Sequence, residues 1–196
     1  VDYVAALQNF FSLNPTLRSA PIFIAGESYA GKFVARIASM LLANGFSVQG
    51  AALGNALVDP INQLSSFSTY AYALGLVDGA QAAAMQVSES QVQSLIRAGR
   101  YGEASDLWDQ IDVMALNAGG WFNPSDVRQF GFPDYSAGEA WLNLPSTRAK
   151  LGINSIVGQF EMCNDTVGAA FRDEEARSVA DVYATLLNQG VRVLFF

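Results

Sequence analysis

The hexapeptide Gly26-Glu27-Ser28-Tyr29-Ala30-Gly31 carries the clearest chemistry in the chain. Small residues two positions either side of a serine, here Gly26 and Ala30, suit a sharp strand-to-helix turn where the two elements approach closely. In such a turn Ser28 Oγ projects above the sheet as a nucleophile. The backbone N–H of Tyr29 then points at the oxyanion that develops in acyl transfer, helped by the helix N-terminus. The competing reading is a serine that merely N-caps the helix. A serine nucleophile needs a base, and the chain contains no histidine.

The flanking elements must position that serine. Residues 21–25, PIFIA, form a short run apolar on both faces, as expected of a central parallel strand. From 29 to 42 the residues Phe33, Ile37, Met40 and Leu41 fall at helical spacing. Ala30, Gly31, Ala35 and Ala38 keep that helix thin enough to lie close on a sheet, and Asn44-Gly45 stops it. A helix on Val4, Leu7 and Phe11 precedes, and a second strand runs from 48 to 53. Helix, strand, helix, strand implies a parallel sheet whose carboxyl edge holds the site.

The pattern then changes. Residues 63 to about 116 are rich in Ala, Gln, Ser and Leu at helical spacing, and 117–138 read as irregular. A short helix is expected within 142–152. Residues 174–187 read as one helix with Val179, Val182, Tyr183, Leu186 and Leu187 inward, and a strand starts at 191. The expected organisation is a core part at 1–62, a mainly helical insertion at 63–173, and a return to the core at 174–196. An insertion of that length is expected to be functional.

Composition sets limits. The chain of 196 residues is 51% hydrophobic and 15% charged, which supports a sizeable core and argues against disorder. Lys and Arg number 11 against 18 Asp and Glu, for a net charge of −7. An acidic chain without basic runs is a poor partner for nucleic acid. No apolar run approaches the roughly 18 residues of a membrane span. The single cysteine, Cys163, cannot form an internal disulfide. Asn164-Asp165-Thr166 is a glycosylation sequon, with an unmodified surface loop as the alternative. The chain starts Val1-Asp2-Tyr3 without an initiator Met or a signal-like segment, and ends VRVLFF in strand character. It therefore reads as an internal fragment.

With the motif and its context in place, FIAGESYAGKFVARIA resembles the serine carboxypeptidase family, its vitellogenic-like branch in particular. LGNALVDP (53–60), YAYALGLVD (70–78), LNLPSTRAKLGI (142–153) and LLNQGVRVLFF (186–196) resemble other family segments in the same order. The resemblance implies an α/β-hydrolase core interrupted by a largely helical cap. It implies removal of C-terminal amino acids from peptides with a free C-terminus, at acid pH and without a cofactor. It makes Ser28 the nucleophile and Tyr29 an oxyanion-hole residue. It makes Glu27 a ligand of the substrate carboxylate, a pairing in which two carboxyl groups share a proton. The triad aspartate and histidine are then expected beyond Phe196, and the other oxyanion donor upstream of Val1, so the 196-residue chain alone is expected to be inactive. A lysosomal, vacuolar or secreted location is implied by the resemblance, with Asn164 as the candidate glycan acceptor. Ala35 replaces a proline frequent in the family, and cysteines are scarcer than family caps often have.

Other residues are candidates. Asp59 follows the next strand, where some lipases place the triad acid, but an Asp-Pro turn explains it. Asp106, Asp109 and Asp112 could bind a metal, though a solvated acidic helix face explains them, and no metal is expected. Asp173, Glu174 and Glu175 read as first-turn helix acids. Trp108, Trp121 and Trp141 could line a pocket or fill a core. An esterase or acyltransferase of the same fold, or a non-catalytic carrier, is the alternative to the peptidase.

Overall fold

The computed structural model describes residues 2–196. The chain divides into two compact units, one running up to Ser65 and again from Glu175 to Phe196, the other Ser66–Glu174. The first unit begins with α1 (Asp2–Leu13), β1 (Ile22–Glu27), α2 (Ala30–Ala43), β2 (Val48–Gly54) and α3 (Pro60–Gln63). The second holds α4 (Phe67–Ala73), α5 (Gly79–Arg97), α6 (Tyr101–Ala118), β3 (Phe122–Asn123), β4 (Asp126–Phe130), α7 (Ser136–Asn143) and α8 (Pro145–Lys150). Helix α9 (Asp165–Glu175) leads back to the first unit, which closes with α10 (Ala180–Asn188) and β5 (Arg192–Phe195).

In the first unit β1, β2 and β5 form a parallel sheet in the order β1-β2-β5. Among the described residues β2 lies between β1 and β5. Val48, Ala51 and Leu53 of β2 are buried, whereas on β1 Ile24 is buried and Phe23 is 61% exposed. Ile24, Ala51 and Leu53 join a core with Val4 of α1, Val34, Ala38 and Leu41 of α2, and Tyr183 and Leu186 of α10. The Phe23 ring lies 5.6 Å under the Arg192 guanidinium.

The buried stripe of α2 is Gly31, Lys32, Val34, Ala35, Ala38 and Leu41. Of the expected stripe Leu41 is fully buried and Ile37 and Met40 pack against the core, but Phe33 is 46% exposed and stacks edge-on with Tyr29 at 5.2 Å. The small residues permit close approach: Ala35 and Ala38 lie in the core beside Val34 and Leu41, and Gly31 lies against Ala56 and Leu57. The helix stops where Gly45 takes φ 76 and Phe46 N–H reaches the Leu41 carbonyl at 3.0 Å.

The expected helix at 174–187 is two helices. α9 ends at Glu175 and α10 starts at Ala180. Buried anchors break the run. Ala176 and Val179 are fully or nearly fully buried. Val179 N–H donates to the Val58 carbonyl at 2.9 Å, and the Lys32 ammonium donates to the Arg177 carbonyl. Asp173, Glu174 and Glu175 therefore sit in the last turn of α9 rather than in a first turn. Leu187, expected inward, is 54% exposed, while Val179, Tyr183 and Leu186 are buried.

In the second unit α5 and α6 pack as a helix pair, with Met85, Val92 and Ile111 buried. Asp78 and Gln81 form a reciprocal capping box at the start of α5. Glu89 of α5 is buried and receives both the Ser68 N–H and hydroxyl at 2.7 Å, which caps the first turn of α4. The segment expected to be irregular contains the antiparallel β3–β4 hairpin and the start of α7. Pro145 occupies the first turn of α8, where its missing N–H is harmless.

Candidate active site

The nucleophile candidate lies at the junction of β1 and α2. Pairing of Gly26 with Leu53 and of Glu27 with Gly54 brings the carboxyl ends of β1 and β2 level. Ser28 follows with φ 55, in the left-handed region that non-glycine residues rarely enter. Tyr29 is already helical at φ −57 and ψ −23, and no side chain caps α2. The N-cap position of α2 is Tyr29, not Ser28. Ser28 is exposed, as is Glu27 before it.

The small flanking residues are required by distance. A Cβ on Gly26 would stand 2.7 Å from Ala30 Cβ and 2.8 Å from Val34 Cγ2. A Cβ on Gly31 would stand 2.6 Å from the Leu57 carbonyl oxygen. Ala30 at the second flank is small enough because only its Cβ meets Gly26.

Hydrogen bonds hold the strained turn from both sides. Ser28 N–H donates to the Gly54 carbonyl at 3.0 Å, and the Ser28 carbonyl accepts from Gly31 N–H at 3.1 Å and Leu57 N–H at 2.9 Å. Beyond it, Tyr183 OH donates to the Gly31 carbonyl at 2.6 Å, tying α10 to the first turn of α2. Burial pushes the Tyr183 phenol up to about 12. Lys32 is 4% exposed, with its ammonium 5.9 Å from the Tyr29 ring centroid. The end of β5 reaches the same edge: Phe196 N–H donates to the Leu53 carbonyl at 3.0 Å, and Asn55 N–H to the Phe196 carbonyl at 2.7 Å.

The other candidates lie elsewhere. Asp59 accepts from Asn62 Nδ2 at 2.5 Å in a local turn. Asp106 is bound by the Arg172 guanidinium, with Nε at 2.6 Å, and that hydrogen bond holds its carboxyl below the usual range. Burial raises the Asp109 carboxyl, with a smaller push from Asp106. Among the described residues no group of three His, Cys, Asp or Glu could hold a metal. Trp108 packs on Phe67 at 5.8 Å, but Trp121 and Trp141 are more than half exposed and fill no core. Asn164 is exposed; its Oδ1 accepts from Val167 N–H at 3.0 Å and its Nδ2 donates to Glu161 at 2.6 Å. Cys163 is an exposed free thiol. Among the described residues no helix is long and apolar enough to cross a membrane.

Sequence reasoning passed over Lys32, Gln63 and Tyr183 as parts of the site. Lys32 and Tyr183 meet backbone atoms 145 and 152 positions away, and Gln63 meets backbone atoms of the loop just before it at Ala56, Val58 and Asp59; a backbone partner carries no residue signature.

Comparison with known proteins agrees with the geometry. The family model for serine carboxypeptidases matches residues 1–196. A serine carboxypeptidase-like protein of Arabidopsis thaliana is 29% identical, over 89% of this chain and 40% of its own length. A pheromone-processing carboxypeptidase of Arthroderma otae is 29% identical over 100% of this chain and 35% of its own length. A venom serine carboxypeptidase of Apis mellifera is 35% identical over 56% of this chain and 25% of its own. Among solved structures, a prohormone-processing carboxypeptidase from Saccharomyces cerevisiae superposes with a TM-score of 0.79 at 20% identity, over 97% of this chain and 46% of that one. The fold is therefore that of an α/β hydrolase, and the chain spans less than half the length of these relatives. A strained serine between a parallel strand and a close-packed helix, together with a match along the whole chain, makes this protein a member of the serine carboxypeptidase family.

Proposed function

We propose that this chain supplies the nucleophile side of a serine carboxypeptidase active site. The observation that carries the reading is Ser28 at φ 55, exposed at the carboxyl edge of a parallel sheet and hydrogen-bonded through both backbone groups. Such strain persists only where the surroundings over-determine it, and it gathers at functional sites.

In this mechanism Ser28 Oγ attacks the carbonyl of the last peptide bond while a histidine base takes its proton. The Tyr29 N–H stabilises the tetrahedral oxyanion. The base then hands its proton to the departing amino acid, the acyl-enzyme forms, and water releases the shortened peptide by the same steps. Glu27 hydrogen-bonds the free carboxylate of the substrate through a shared proton, which selects peptides with an unblocked C-terminus. The chain has no histidine, so the triad base and its aspartate are proposed to lie beyond Phe196, and the second oxyanion donor upstream of Val1. Asn164 carries a glycan in a lysosomal, vacuolar or secreted enzyme.

The test uses a full-length enzyme carrying this chain. It is incubated at acid pH with an N-blocked dipeptide, the matching C-terminal amide and the matching methyl ester. Release of the C-terminal amino acid from the free acid in preference to the amide supports the reading. Turnover of the ester alone would instead support the esterase.

A further inference from the structure

Gln63 at the end of α3 makes none of the contacts assigned above to substrate or oxyanion. Its side-chain amide is nevertheless bonded at both ends to the loop between β2 and α3. Oε1 accepts from Val58 N–H at 2.8 Å and Asp59 N–H at 2.7 Å, and Nε2 donates to the Ala56 carbonyl at 2.8 Å. The amide offers both an acceptor and a donor in this arrangement: an ionised carboxylate lacks the donor, and a hydrocarbon lacks both.

The same loop holds the serine. Ser28 N–H ends on the Gly54 carbonyl, and the Ser28 carbonyl receives Leu57 N–H. Residues 56, 58 and 59 are thus fixed by Gln63 on either side of Leu57, which bonds to Ser28. The other end of the loop is equally constrained. Asn55 takes φ 43, and its N–H is held by the Phe196 carbonyl. From α2, Gly31 approaches so closely that a Cβ there would stand 2.6 Å from the Leu57 oxygen and 3.0 Å from Ala56 Cβ. A serine at φ 55 does not keep that conformation by its own preference. It keeps it because its neighbours do not move.

We propose that Gln63 is a positioning residue for Ser28: its amide locks the loop 54–59, and the locked loop holds the strained backbone that aims the hydroxyl. The proposal rests on Ser28 being the nucleophile. Gln63 touches no substrate, so its loss acts on the rate of attack rather than on binding.

The test compares Gln63→Leu and Gln63→Glu in the full-length enzyme, reading peptide hydrolysis and the rate of Ser28 labelling by a fluorophosphonate. Gln63→Leu removes all three bonds. It should lower kcat and the labelling rate together, on the order of 10-fold to 100-fold, with KM changed by less than about twofold. Gln63→Glu is the sharper probe. When protonated, its carboxyl can accept from the two N–H groups and donate to the Ala56 carbonyl, as the amide does. When ionised, it sets an oxygen against that carbonyl. The kcat ratio of Gln63→Glu to parent should therefore stand near one at acid pH and fall several-fold as pH rises through about 4–5, the ordinary glutamate range. A flat ratio would overturn the proposal. So would parent kcat and labelling in either variant with only the unfolding midpoint lowered. If Gln63→Leu does not fold, the pH ratio of Gln63→Glu still decides. Failure of the nucleophile reading looks different: the parent enzyme itself would take no label at Ser28.

Discussion

Replacing Gly31 with Ala adds one methyl group to the first turn of α2 and tests whether the elbow depends on close approach. The new Cβ would stand 2.6 Å from the Leu57 oxygen, and real Cβ atoms essentially never come within 3.0 Å of a neighbour. The neighbour is backbone and cannot rotate aside, so helix and loop must separate by at least a few tenths of an ångström. Overpacking of this kind costs about 1–3 kcal/mol. Helix propensity opposes it, since Ala is better than Gly by up to about 1 kcal/mol. The clash outweighs it over most of that range, with a net loss centred on about 1 kcal/mol. Gly138 in α7 provides the control. Nothing lies within 4 Å of a Cβ built there, so Gly138→Ala should add about 0.5–1 kcal/mol. The assay is guanidinium unfolding of the full-length enzyme, paired with the rate of fluorophosphonate labelling. Leu57 also holds the Ser28 carbonyl, so Gly31→Ala should slow labelling about 10-fold while Gly138→Ala leaves it unchanged. Equal stabilisation by both substitutions, with parent labelling rates, would refute the packing argument.

Three further outcomes are expected. Tyr183→Phe deprives the buried Gly31 carbonyl of its donor and should lower stability by about 1–3 kcal/mol in the same unfolding assay. In the parent the folded-state phenol is raised, so the Tyr183 contribution is complete below pH 10 and fades between pH 10 and about 12; a phenolate signal from Tyr183 at pH 10 would contradict it. Asp126 in β4 is held down to about 2, chiefly by its side-chain hydrogen bond with Arg128. The depressed carboxyl stabilises the hairpin above pH 4 and loses that effect as pH falls towards 2. Carboxyl NMR should show the low midpoint, and Arg128→Ala should return it towards 3.8. Glu27→Gln should flatten the acid preference of peptide binding, because an amide needs no shared proton to bond a carboxylate. An unchanged affinity–pH profile would remove Glu27 from that role.

The elbow was legible in the sequence because its requirements are local. Gly26, Ser28, Ala30 and Gly31 are spaced by the geometry of one turn, and the strand and helix around them show their own periods. The residues that fix the turn were not legible. Gln63 reaches back to 56–59, Tyr183 reaches Gly31 across 152 positions, and the buried Lys32 meets the Arg177 carbonyl across 145. Each partner is a backbone atom, which carries no residue signature. The helix break at 176–179 was hidden for a related reason. Ala176, Val179 and Tyr183 are all buried at helical spacing across it, while the Val179 N–H goes to the Val58 carbonyl. Phe33 departs from the apolar spacing because hydrophobicity alone does not set which residue faces inward: Ala35 and Ala38 are buried in the core, and Gly31 is buried against the loop at Ala56 and Leu57.

The central claim is that Ser28 is the nucleophile. It is tested most directly by treating the full-length enzyme and its Ser28→Ala variant with a fluorophosphonate, mapping the adduct by mass spectrometry, and following C-terminal amino acid release from the N-blocked dipeptide. The account predicts one adduct on the peptide containing Ser28, loss of turnover in step with labelling, and neither adduct nor turnover in Ser28→Ala. Turnover that survives Ser28→Ala at the parent rate, or an inactivating adduct on another residue, would contradict it.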